Sequence, residues 1–320
     1  MIATEVPTLA DVLAARQRIR PYLRPTALHR YPALDQLVGT ETWVKHENHQ
    51  PICAFKVRGG INLISQLSDD ERRRGVAGAS TGNHGQSIAY AARLFDVPAV
   101  ICVPAGANPV KVASIRGLGA EVVTYGVDYD EAREHAERLS RERNYRYIHS
   151  GNEPHLIAGV GTEALEILED QPETEVIIVP IGGGSGAAGT CIAAKAIRPS
   201  IQVIGVQSAE APAAYRSWKA RTLLEDRMGT FAEGLATRTA FELPQRILWK
   251  MLDDFVLVPD AEIRLAVKLM IETTRNLTEP AGAAPLAAAL RLRAKVRGKR
   301  IALVLSGGNI TPDQLKESLA

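Results

Sequence analysis

Lys56 is the residue of this sequence whose surroundings best suit chemistry. It lies in the stretch KHENHQPICAFKVRGG (45–60), after an apolar trio and directly before a helical pattern. A lysine amine that is desolvated at such a position has a lowered pKa and can act as a nucleophile or a base. The alternative is an exposed lysine at a helix start, because lysine is usually exposed.

A second candidate is the turn ASTGNHGQ (79–86), which lies between a predicted strand and a predicted helix. Its amides and the hydroxyls of Ser80 and Thr81 would hold an anion such as a carboxylate at the positive N-terminus of that helix. Ordinary N-capping by Ser80 or Thr81 is the alternative. His84 in the same turn is by itself more typical of a structural histidine than of a base.

Glycines dominate a third turn, PIGGGSGAAG (180–189), which follows the apolar strand EVIIVP. Consecutive glycines let a ligand approach the backbone, and their amides, with Ser185, suit a phosphate at the N-terminus of the next helix. Residues 184–189 also satisfy GxGxxG, so a nicotinamide-dependent oxidoreductase is a rival. That rival requires an acid after the following strand, where the sequence has Gln207.

The fourth turn is Ser306-Gly307-Gly308-Asn309, after the last predicted strand. There the Ser306 hydroxyl can hydrogen-bond a ring nitrogen, although serine is also a common turn residue. Ligands of open α/β sheets bind at the carboxyl ends of the strands. We therefore expect the four turns to converge on one site.

The elements that must position these turns are short apolar segments alternating with longer helical patterns. This order is typical of largely parallel sheet covered by helices on both faces. The predicted strands exceed one minimal doubly wound unit; they are 41–45, 76–79, 99–103, 121–125, 147–149, 176–180, 202–206, 255–258 and 300–305. The main predicted helices are 84–95, 109–118, 130–143, 161–169, 187–197 and 261–275.

Local signals mark three further features. Ser68 and Glu71 have the spacing of a capping box. Asp260, which follows Pro259, is predicted to be an N-cap. The segment 228–241 has weak periodicity and contains Gly229 and Gly234, so we interpret it as an irregular segment that lines a site.

Composition limits the partners that we expect. With 38 Lys and Arg against 36 Asp and Glu and only 5% aromatic residues, the chain shows no basic stripe or base-stacking surface for nucleic acid. No apolar run reaches the roughly 18 to 20 residues of a membrane span. The start lacks a basic region followed by an apolar one, which predicts no signal peptide and a cytoplasmic location. Three separated cysteines predict neither a disulfide framework nor a zinc site.

Taken in order, KHENHQPICAFKVRGG, ASTGNHGQS, PIGGGSG, TEPAGA and LSGGN resemble the fold-type II pyridoxal-phosphate-dependent enzymes, specifically their threonine dehydratase and serine racemase branch. The resemblance covers nearly the whole chain. It implies an α/β fold with two open twisted sheets and helices on both faces, similar to the tryptophan synthase β subunit. It further implies a large cofactor-binding domain (1–49 and 149–320) with a small inserted α/β domain (50–148) and an active site between them.

The resemblance also implies roles for single residues. Lys56 matches the lysine that binds pyridoxal 5'-phosphate covalently and serves as catalytic base. The other implied cofactor-binding residues are Phe55, Asn83, Gly182, Gly183, Gly184, Ser185, Gly186, Gly234, Glu279 and Ser306. Within this set, Asn83 matches the partner of the cofactor's phenolic oxygen, the glycine loop with Ser185 matches the phosphate cradle, and Ser306 matches the partner of the pyridine nitrogen. The residues implied to hold the substrate carboxylate are Ser80, Thr81, Gly82, Asn83 and His84.

The activity implied is dehydration and deamination of an L-β-hydroxy amino acid, converting L-threonine to 2-oxobutyrate and ammonia or L-serine to pyruvate and ammonia. A neutral Ser306 does not keep the pyridine nitrogen protonated as a carboxylate would, which favours elimination over transamination. Alternatives within the family are serine or aspartate racemisation and elimination on a 3-hydroxyaspartate-type substrate. Thr81 matches the hydroxyl that racemases use as an acid opposite Lys56, or else it only binds carboxylate or caps the helix.

Family analogy implies a homodimer or homotetramer acting on a small amino acid. Serine racemase-like relatives bind a divalent cation through acids where this sequence has Gln207 and Ala213, so we expect no metal site there. The chain ends shortly after Asn309, so we expect no regulatory domain and no feedback by isoleucine.

Overall fold

The structure is a computed structural model that describes residues 5–80 and 82–320. Its strands are β1 (Leu28–Arg30), β2 (Thr42–His46), β3 (Val76–Ala79), β4 (Ala99–Val103), β5 (Glu121–Thr124), β6 (Arg146–Tyr147), β7 (Val176–Pro180), β8 (Gln202–Ser208), β9 (Asp254–Val258) and β10 (Ile301–Leu305). Short 3₁₀ turns cover Glu47–His49 and Glu233–Leu235.

The helices alternate with these strands along the chain. They are α1 (Leu9–Ile19), α2 (Pro32–Val38), α3 (Lys56–Ile64), α4 (Asp69–Arg74), α5 (Asn83–Leu94), α6 (Pro109–Gly117), α7 (Tyr129–Arg143), α8 (Pro154–Val160), α9 (Thr162–Asp170), α10 (Ser185–Ile197), α11 (Ala213–Ala220), α12 (Glu242–Met251), α13 (Asp260–Thr274), α14 (Pro280–Arg291), α15 (Arg293–Val296) and α16 (Pro312–Leu319). In the described part of the chain, no helix combines the length and the apolar composition needed to cross a bilayer.

The strands form two sheets. One has six strands in the order β1-β2-β10-β7-β8-β9, and the other has four in the order β5-β4-β3-β6. All neighbouring strands are parallel except β1, which pairs antiparallel with β2. Parallel sheets need helices on both faces, and the predicted α/β class with two helix-covered sheets is confirmed.

β7 shows why these sheets are covered on both sides. Ile178 packs into a cluster with residues of α13 and α14, whereas Ile177 packs into another cluster with residues of α10 and α12. Because successive side chains of a strand point to opposite faces, an uninterrupted apolar strand must be buried on both. β2, β10, β7 and β8 run parallel to one another, so their carboxyl ends lie at the same edge of the six-stranded sheet.

The four-stranded sheet uses strands between residues 76 and 147, and the six-stranded sheet uses strands from both sides of that range. The division into a large domain (1–49 and 149–320) and a small inserted domain (50–148) stays a prediction.

Two predicted caps have opposite outcomes. The capping box of α4 is confirmed, because the Ser68 hydroxyl accepts from the Glu71 amide and the Glu71 carboxylate accepts from the Ser68 amide at 2.9 Å. The prediction for Asp260 is wrong, because Pro259 occupies the N-cap of α13. The Asp260 carboxylate instead accepts from the Ser208 and Thr230 hydroxyls at 2.6 and 2.7 Å, which ties α13 to β8 and to the segment 228–241.

α3 is packed between two other helices. A Cβ added at Gly59 would lie 2.9 Å from the Leu156 carbonyl oxygen of α8, and one at Gly60 would collide with Ser87 of α5. The two glycines therefore allow α5 and α8 to approach the backbone of α3, which begins at Lys56.

Candidate active site

Lys56 lies at the first position of α3, with its amine turned toward the start of α10. The amine donates to the Ser185 hydroxyl at 2.7 Å and lies 3.4 Å from the Ser150 carbonyl oxygen. Burial lowers the pKa of Lys56 to about 8, against an opposing effect of the Glu163 carboxyl. Because both close partners are uncharged, little in the immediate contacts of Lys56 holds the amine in its protonated form.

A buried group of charged residues anchors the start of α3. The Arg58 guanidinium donates to both oxygens of Glu47 and both oxygens of Glu166, at 2.6 to 2.7 Å. Lys45 of β2 donates to Glu166 at 2.6 Å. Bidentate contacts of this kind fix geometry, so they set the position of Lys56 two residues before Arg58.

The glycine loop that follows β7 is shaped by close approach and by backbone conformation. Gly184 has a φ of 89°, in the left-handed region that favours glycine. A Cβ at Gly182 would collide with the Gly234 carbonyl oxygen, and one at Gly183 would collide with the Phe241 ring. These two glycines are therefore required by the segment 228–241, in addition to any ligand that the loop binds.

The N-terminus of α10 is suited to an anion. Ser185 is 2% exposed, Gly186 is buried, and the N-cap residue Gly184 provides no side-chain hydrogen bond. The first amides of a helix have no partner within the helix, so a buried and uncapped end requires an external acceptor. A phosphate group meets that requirement.

The N-terminus of α5 is a second uncapped helix start. Its N-cap is Gly82, which has no side chain, and the Ser80 hydroxyl accepts from the Gly82 amide at 3.1 Å. Ser80 therefore stabilises the turn before the helix and does not cap the helix itself. The prediction for Thr81 falls outside the described residues.

His84, in the first turn of α5, is a buried and uncharged ring. It is 6% exposed, and neither ring nitrogen has a hydrogen-bond partner in residues 5–80 and 82–320. Burial, with a further contribution from Lys56, lowers the pKa of His84 to about 3. An uncharged imidazole with free nitrogens can donate or accept a hydrogen bond without adding charge.

The Asn83 side chain is held between Glu279, which precedes α14, and Asn309, which follows β10. Its amide nitrogen donates to the Glu279 carboxyl at 2.8 Å, and its amide oxygen accepts from the Asn309 side chain at 2.7 Å. Asn309 also donates to the Ile52 carbonyl at 2.8 Å. Burial raises the pKa of Glu279. The Asn83 amide is thus oriented by fixed partners on both sides.

Ser306 and Phe55 lie next to each other at the end of β10. The Ser306 carbonyl accepts from the Phe55 amide at 3.0 Å, and Ser306 is 3% exposed. The Phe55 ring also borders the glycine loop, since a Cβ at Gly186 would lie 3.0 Å from it. Gly234 borders Glu279, because a Cβ there would lie 3.8 Å from the Glu279 carboxyl oxygen.

The four predicted turns therefore converge at one site, whereas several residues that shape it carry no sequence signal of their own. Asn309, Ser150 and the charged anchor around Arg58 were not among the predicted site residues. The available signal was a charged residue within a predicted strand, such as Lys45 in the strand 41–45. A charge buried in this way requires a partner of opposite charge, which would have indicated a buried ion pair. The segment 228–241 is irregular, as predicted, and its Glu233 pairs with Lys111 across the site.

Comparison with known proteins identifies the family of this chain. A family model described as pyridoxal-phosphate dependent enzyme matches residues 19–307. The chain belongs to the pyridoxal-phosphate-dependent enzymes. The uncapped N-terminus of α10 and the Lys56 amine fit the cofactor of this family, since helix-start amides can bind a phosphate and an amine can react with an aldehyde.

Relatives within the pyridoxal-phosphate-dependent enzymes cover nearly all of the chain. The L-threonine ammonia-lyase of Thermotoga maritima is 39% identical over 304 residues, which are 95% of this chain and 76% of that protein. The L-threo-3-hydroxyaspartate ammonia-lyase of Saccharomyces cerevisiae is 34% identical over 307 residues, covering 95% and 94%. The structure of maize serine racemase has a TM-score of 0.93 at 32% identity, covering 98% of this chain and 97% of that one.

Membership of the pyridoxal-phosphate-dependent enzymes removes the nicotinamide alternative. Gln207, which follows the relevant strand, is fully buried, and its side-chain oxygen accepts from the Tyr215 amide at 3.0 Å. That carboxamide offers neither an acid for a ribose nor a free carboxylate for a cation. The expectation of no metal site at Gln207 and Ala213 stays a prediction.

Proposed function

We propose that this chain is an ammonia-lyase that dehydrates and deaminates L-β-hydroxy amino acids. The products would be 2-oxobutyrate and ammonia from L-threonine, and pyruvate and ammonia from L-serine. The observation that carries the proposal is the Lys56 amine, with a pKa lowered to about 8, held at 2.7 Å from Ser185 where the glycine loop enters α10. The bacterial relative named L-threonine ammonia-lyase supports the choice of substrate.

The residues proposed to hold pyridoxal 5'-phosphate surround Lys56. The amides of Gly182 to Gly186 and the Ser185 hydroxyl would bind the phosphate, Asn83 the phenolic oxygen, and Ser306 the pyridine nitrogen, with Phe55, Gly234 and Glu279 bordering the ring. When bound, the cofactor withdraws electrons from Cα of an amino acid, which makes the Cα proton acidic and allows the β-hydroxyl to leave.

Lys56 is the proposed base for the Cα proton. A lysine with the usual pKa near 10.4 is almost fully protonated at neutral pH, whereas a pKa of about 8 leaves about a tenth of the amine neutral at pH 7. Ser185 and the Ser150 carbonyl keep the amine in one place, so that little reorganisation precedes proton transfer.

The substrate carboxylate is proposed to bind at the start of α5. The uncapped amides there have no acceptor within the helix, and the helix dipole favours a negative group. His84 can donate one hydrogen bond as a neutral ring. Ser80 contributes by shaping the turn, since its hydroxyl accepts from the Gly82 amide.

A turnover assay tests the proposal. Formation of 2-oxobutyrate from L-threonine or pyruvate from L-serine is expected, and Lys56→Ala should reduce it by about 10³-fold or more because the base is lost. Lys250→Ala, which removes an exposed lysine of α12, is the matched control and should retain activity. If neither 2-oxo acid forms, the substrate assignment is wrong.

Borohydride trapping tests the lysine separately. Reduction of the loaded protein, followed by peptide mass spectrometry, is expected to leave the cofactor mass on Lys56. An unmodified Lys56 in fully loaded protein would contradict the assignment of this residue, whatever the substrate.

Racemisation is the second candidate activity, because the maize serine racemase has a closely similar structure. It is measured by the D/L ratio and by solvent deuterium at Cα during long incubation of either serine enantiomer; an unchanged ratio excludes it. The yeast relative makes 3-hydroxyaspartate a third substrate to include in the same assay.

The assembly and the location are part of the proposal. A homodimer or homotetramer and a cytoplasmic site of action are what family analogy implies. Sedimentation velocity would test the first, and a monomer at working concentration would contradict it.

A further inference from the structure

Lys111 of α6 is a buried cation at the edge of the candidate active site. Its side chain is 8% exposed, and its amine forms an ion pair with the Glu233 carboxylate. Among the residues that the structure describes, Glu233 is the single hydrogen-bond partner of this amine. Because an ammonium group has three N–H donors, two donors of Lys111 remain for other acceptors.

The Lys111 amine lies beside the start of α5, where the substrate carboxylate is proposed to bind. A Cβ added at Gly82, the N-cap of α5, would lie 3.5 Å from Lys111 Cδ and 3.8 Å from Lys111 Nζ. The Lys111 side chain thus packs next to the backbone of this turn. Its positive charge therefore adds to the helix amides at the place where they favour an anion.

Two observations show that donors at the start of α5 lack an acceptor. The N-cap residue provides no side-chain hydrogen bond. His84, in the first turn, is 6% exposed, and neither ring nitrogen has a partner among residues 5–80 and 82–320. Polar groups that are buried without partners are costly. A carboxylate would supply acceptors to the helix amides and to the Lys111 ammonium group, which forms the stronger, charge-assisted type of hydrogen bond.

Glu233 supplies the carboxylate that balances Lys111 in this structure. The residue begins a 3₁₀ turn within the segment 228–241, and its side chain is 36% exposed. Its other carboxyl oxygen accepts from the Gln314 side-chain amide of α16 at 3.0 Å. Glu233 can therefore remain solvated when it leaves Lys111, whereas the buried Lys111 needs another anion in its place.

We propose that Lys111 is a binding residue for the substrate carboxylate and that Glu233 competes with the substrate for it. When the substrate carboxylate binds at the start of α5, it accepts from the Lys111 ammonium group, and Glu233 turns toward solvent and Gln314. Lys111 thus strengthens substrate binding, and Glu233 weakens it. The inference rests on the proposed function only in taking the start of α5 as the carboxylate site.

Equilibrium binding of a small carboxylate tests this competition without turnover. The probe is propionate labelled with ¹³C at the carboxyl carbon, titrated by NMR into protein loaded with pyridoxal 5'-phosphate, and propionamide is the uncharged control ligand. Lys111→Met should raise the Kd of propionate by about tenfold, because a charge-assisted contact is lost. Glu233→Gln should lower that Kd by about threefold, because the competing carboxylate is removed.

Lys195 and Asp253 provide the matched control variants. They form an ion pair at 2.6 Å between the C-terminal part of α10 and the residue before β9. Lys195→Met and Asp253→Asn make the corresponding changes away from α5 and should leave the Kd of propionate unchanged. In the double variant of Lys111→Met with Glu233→Gln, the Kd should equal that of Lys111→Met, because Glu233 acts through Lys111.

The sign of the two shifts decides the outcome. Opposite shifts in Lys111→Met and Glu233→Gln support the competition, and a gain of binding in Glu233→Gln cannot result from misfolding. Shifts of the same sign would mean that the ion pair only stabilises the segment 228–241, and they would overturn the proposal. Propionate binding that neither substitution changes, or that is undetectable in every variant, would overturn it as well.

Turnover of the same variants separates the two proposals. The KM for L-threonine should shift in the same direction as the Kd of propionate, with a smaller change in kcat. If the Kd values shift in opposite directions but no 2-oxo acid forms, only the proposed activity fails. If 2-oxobutyrate forms but both substitutions weaken propionate binding, only the competition between Glu233 and the substrate fails.

Discussion

At the scale of single residues, Lys56 owes its predicted reactivity to what surrounds it. Its neighbours are a hydroxyl and a carbonyl, and burial lowers the pKa of its amine to about 8. An exposed lysine has the same atoms but keeps a pKa near 10.4. The environment therefore decides how much neutral amine is present at a given pH.

This predicts the pH dependence of cofactor capture. Because the neutral amine attacks the aldehyde, the rate at which cofactor-free protein takes up pyridoxal 5'-phosphate should rise about tenfold per pH unit below pH 8 and then level off. Stopped-flow absorbance gives the rate, and Nα-acetyl-lysine serves as an unperturbed reference amine. A rate that keeps rising in parallel with the reference above pH 9 would show that the pKa of Lys56 is not lowered.

Asn309 carries a prediction about positioning. Asn309→Ala removes the donor that holds the Asn83 amide oxygen at 2.7 Å, so Asn83 can rotate away from the position proposed for the cofactor's phenolic oxygen. The Kd of pyridoxal 5'-phosphate, measured by fluorescence titration, should increase by about fivefold, in line with about 1 kcal/mol for one buried hydrogen bond. Asn276→Ala changes an asparagine that does not contact Asn83 and should leave the Kd unchanged. An equal Kd in both variants would contradict the role of Asn309.

At the scale of elements, a buried quartet of charged residues joins α3 to β2 and α9; its members are Lys45, Glu47, Arg58 and Glu166. Arg58 supplies the contacts of α3 to both carboxylates, and its side chain is fully buried. Charges in such a position stabilise the fold only while each has its partner. The start of α3, and with it Lys56, depends on that pairing.

Removing Arg58 should therefore be severely destabilising. Arg58→Met leaves Glu47 and Glu166 buried with too little positive charge, and we expect a loss of about 3 to 5 kcal/mol in the free energy of unfolding, measured by urea denaturation. Arg16→Met breaks an ion pair with Glu169 near the surface and should cost less than about 1 kcal/mol. Similar losses in the two variants would mean that the buried quartet does not anchor α3.

At the scale of the whole molecule, ion pairs connect the segment 228–241 with two helices, α6 and α7, that pack against the four-stranded sheet. Lys111 of α6 pairs with Glu233, and Arg238 pairs with Asp128, the N-cap of α7, at 3.1 Å. The Arg238 pair is partly exposed, so its contribution to global stability is small. Its effect should be local to the segment that borders the glycine loop.

Hydrogen exchange should detect this local effect. Arg238→Ala is expected to change the free energy of unfolding by less than about 1 kcal/mol, while amide exchange in 228–241 becomes several times faster. Arg30→Ala removes a comparably exposed pair with Asp35, away from this segment, and should leave its exchange unchanged. Unaltered exchange in Arg238→Ala would mean that other contacts hold the segment.

Some elements could be predicted closely and others could not, for physical reasons. The strands 76–79, 99–103 and 176–180 were predicted with their observed bounds, because buried parallel strands are short apolar runs that end at turn residues. β1 was missed because it has three residues and only Leu28 is buried. Asp260 was misjudged because its partners, Ser208 and Thr230, are distant in sequence.

The sequence by itself determined the kinds of chemistry available and the order in which they occur: an amine before a helix, two turns that open helices, and a hydroxyl after the last strand. These are local properties of residue type and spacing, so they survive without knowledge of the fold. Only the tertiary structure decided that Lys56 meets Ser185, that Asn309 holds Asn83, and that Arg58 meets Glu47 and Glu166 in the interior. Those contacts join residues far apart in the chain, and packing alone determines which of them meet.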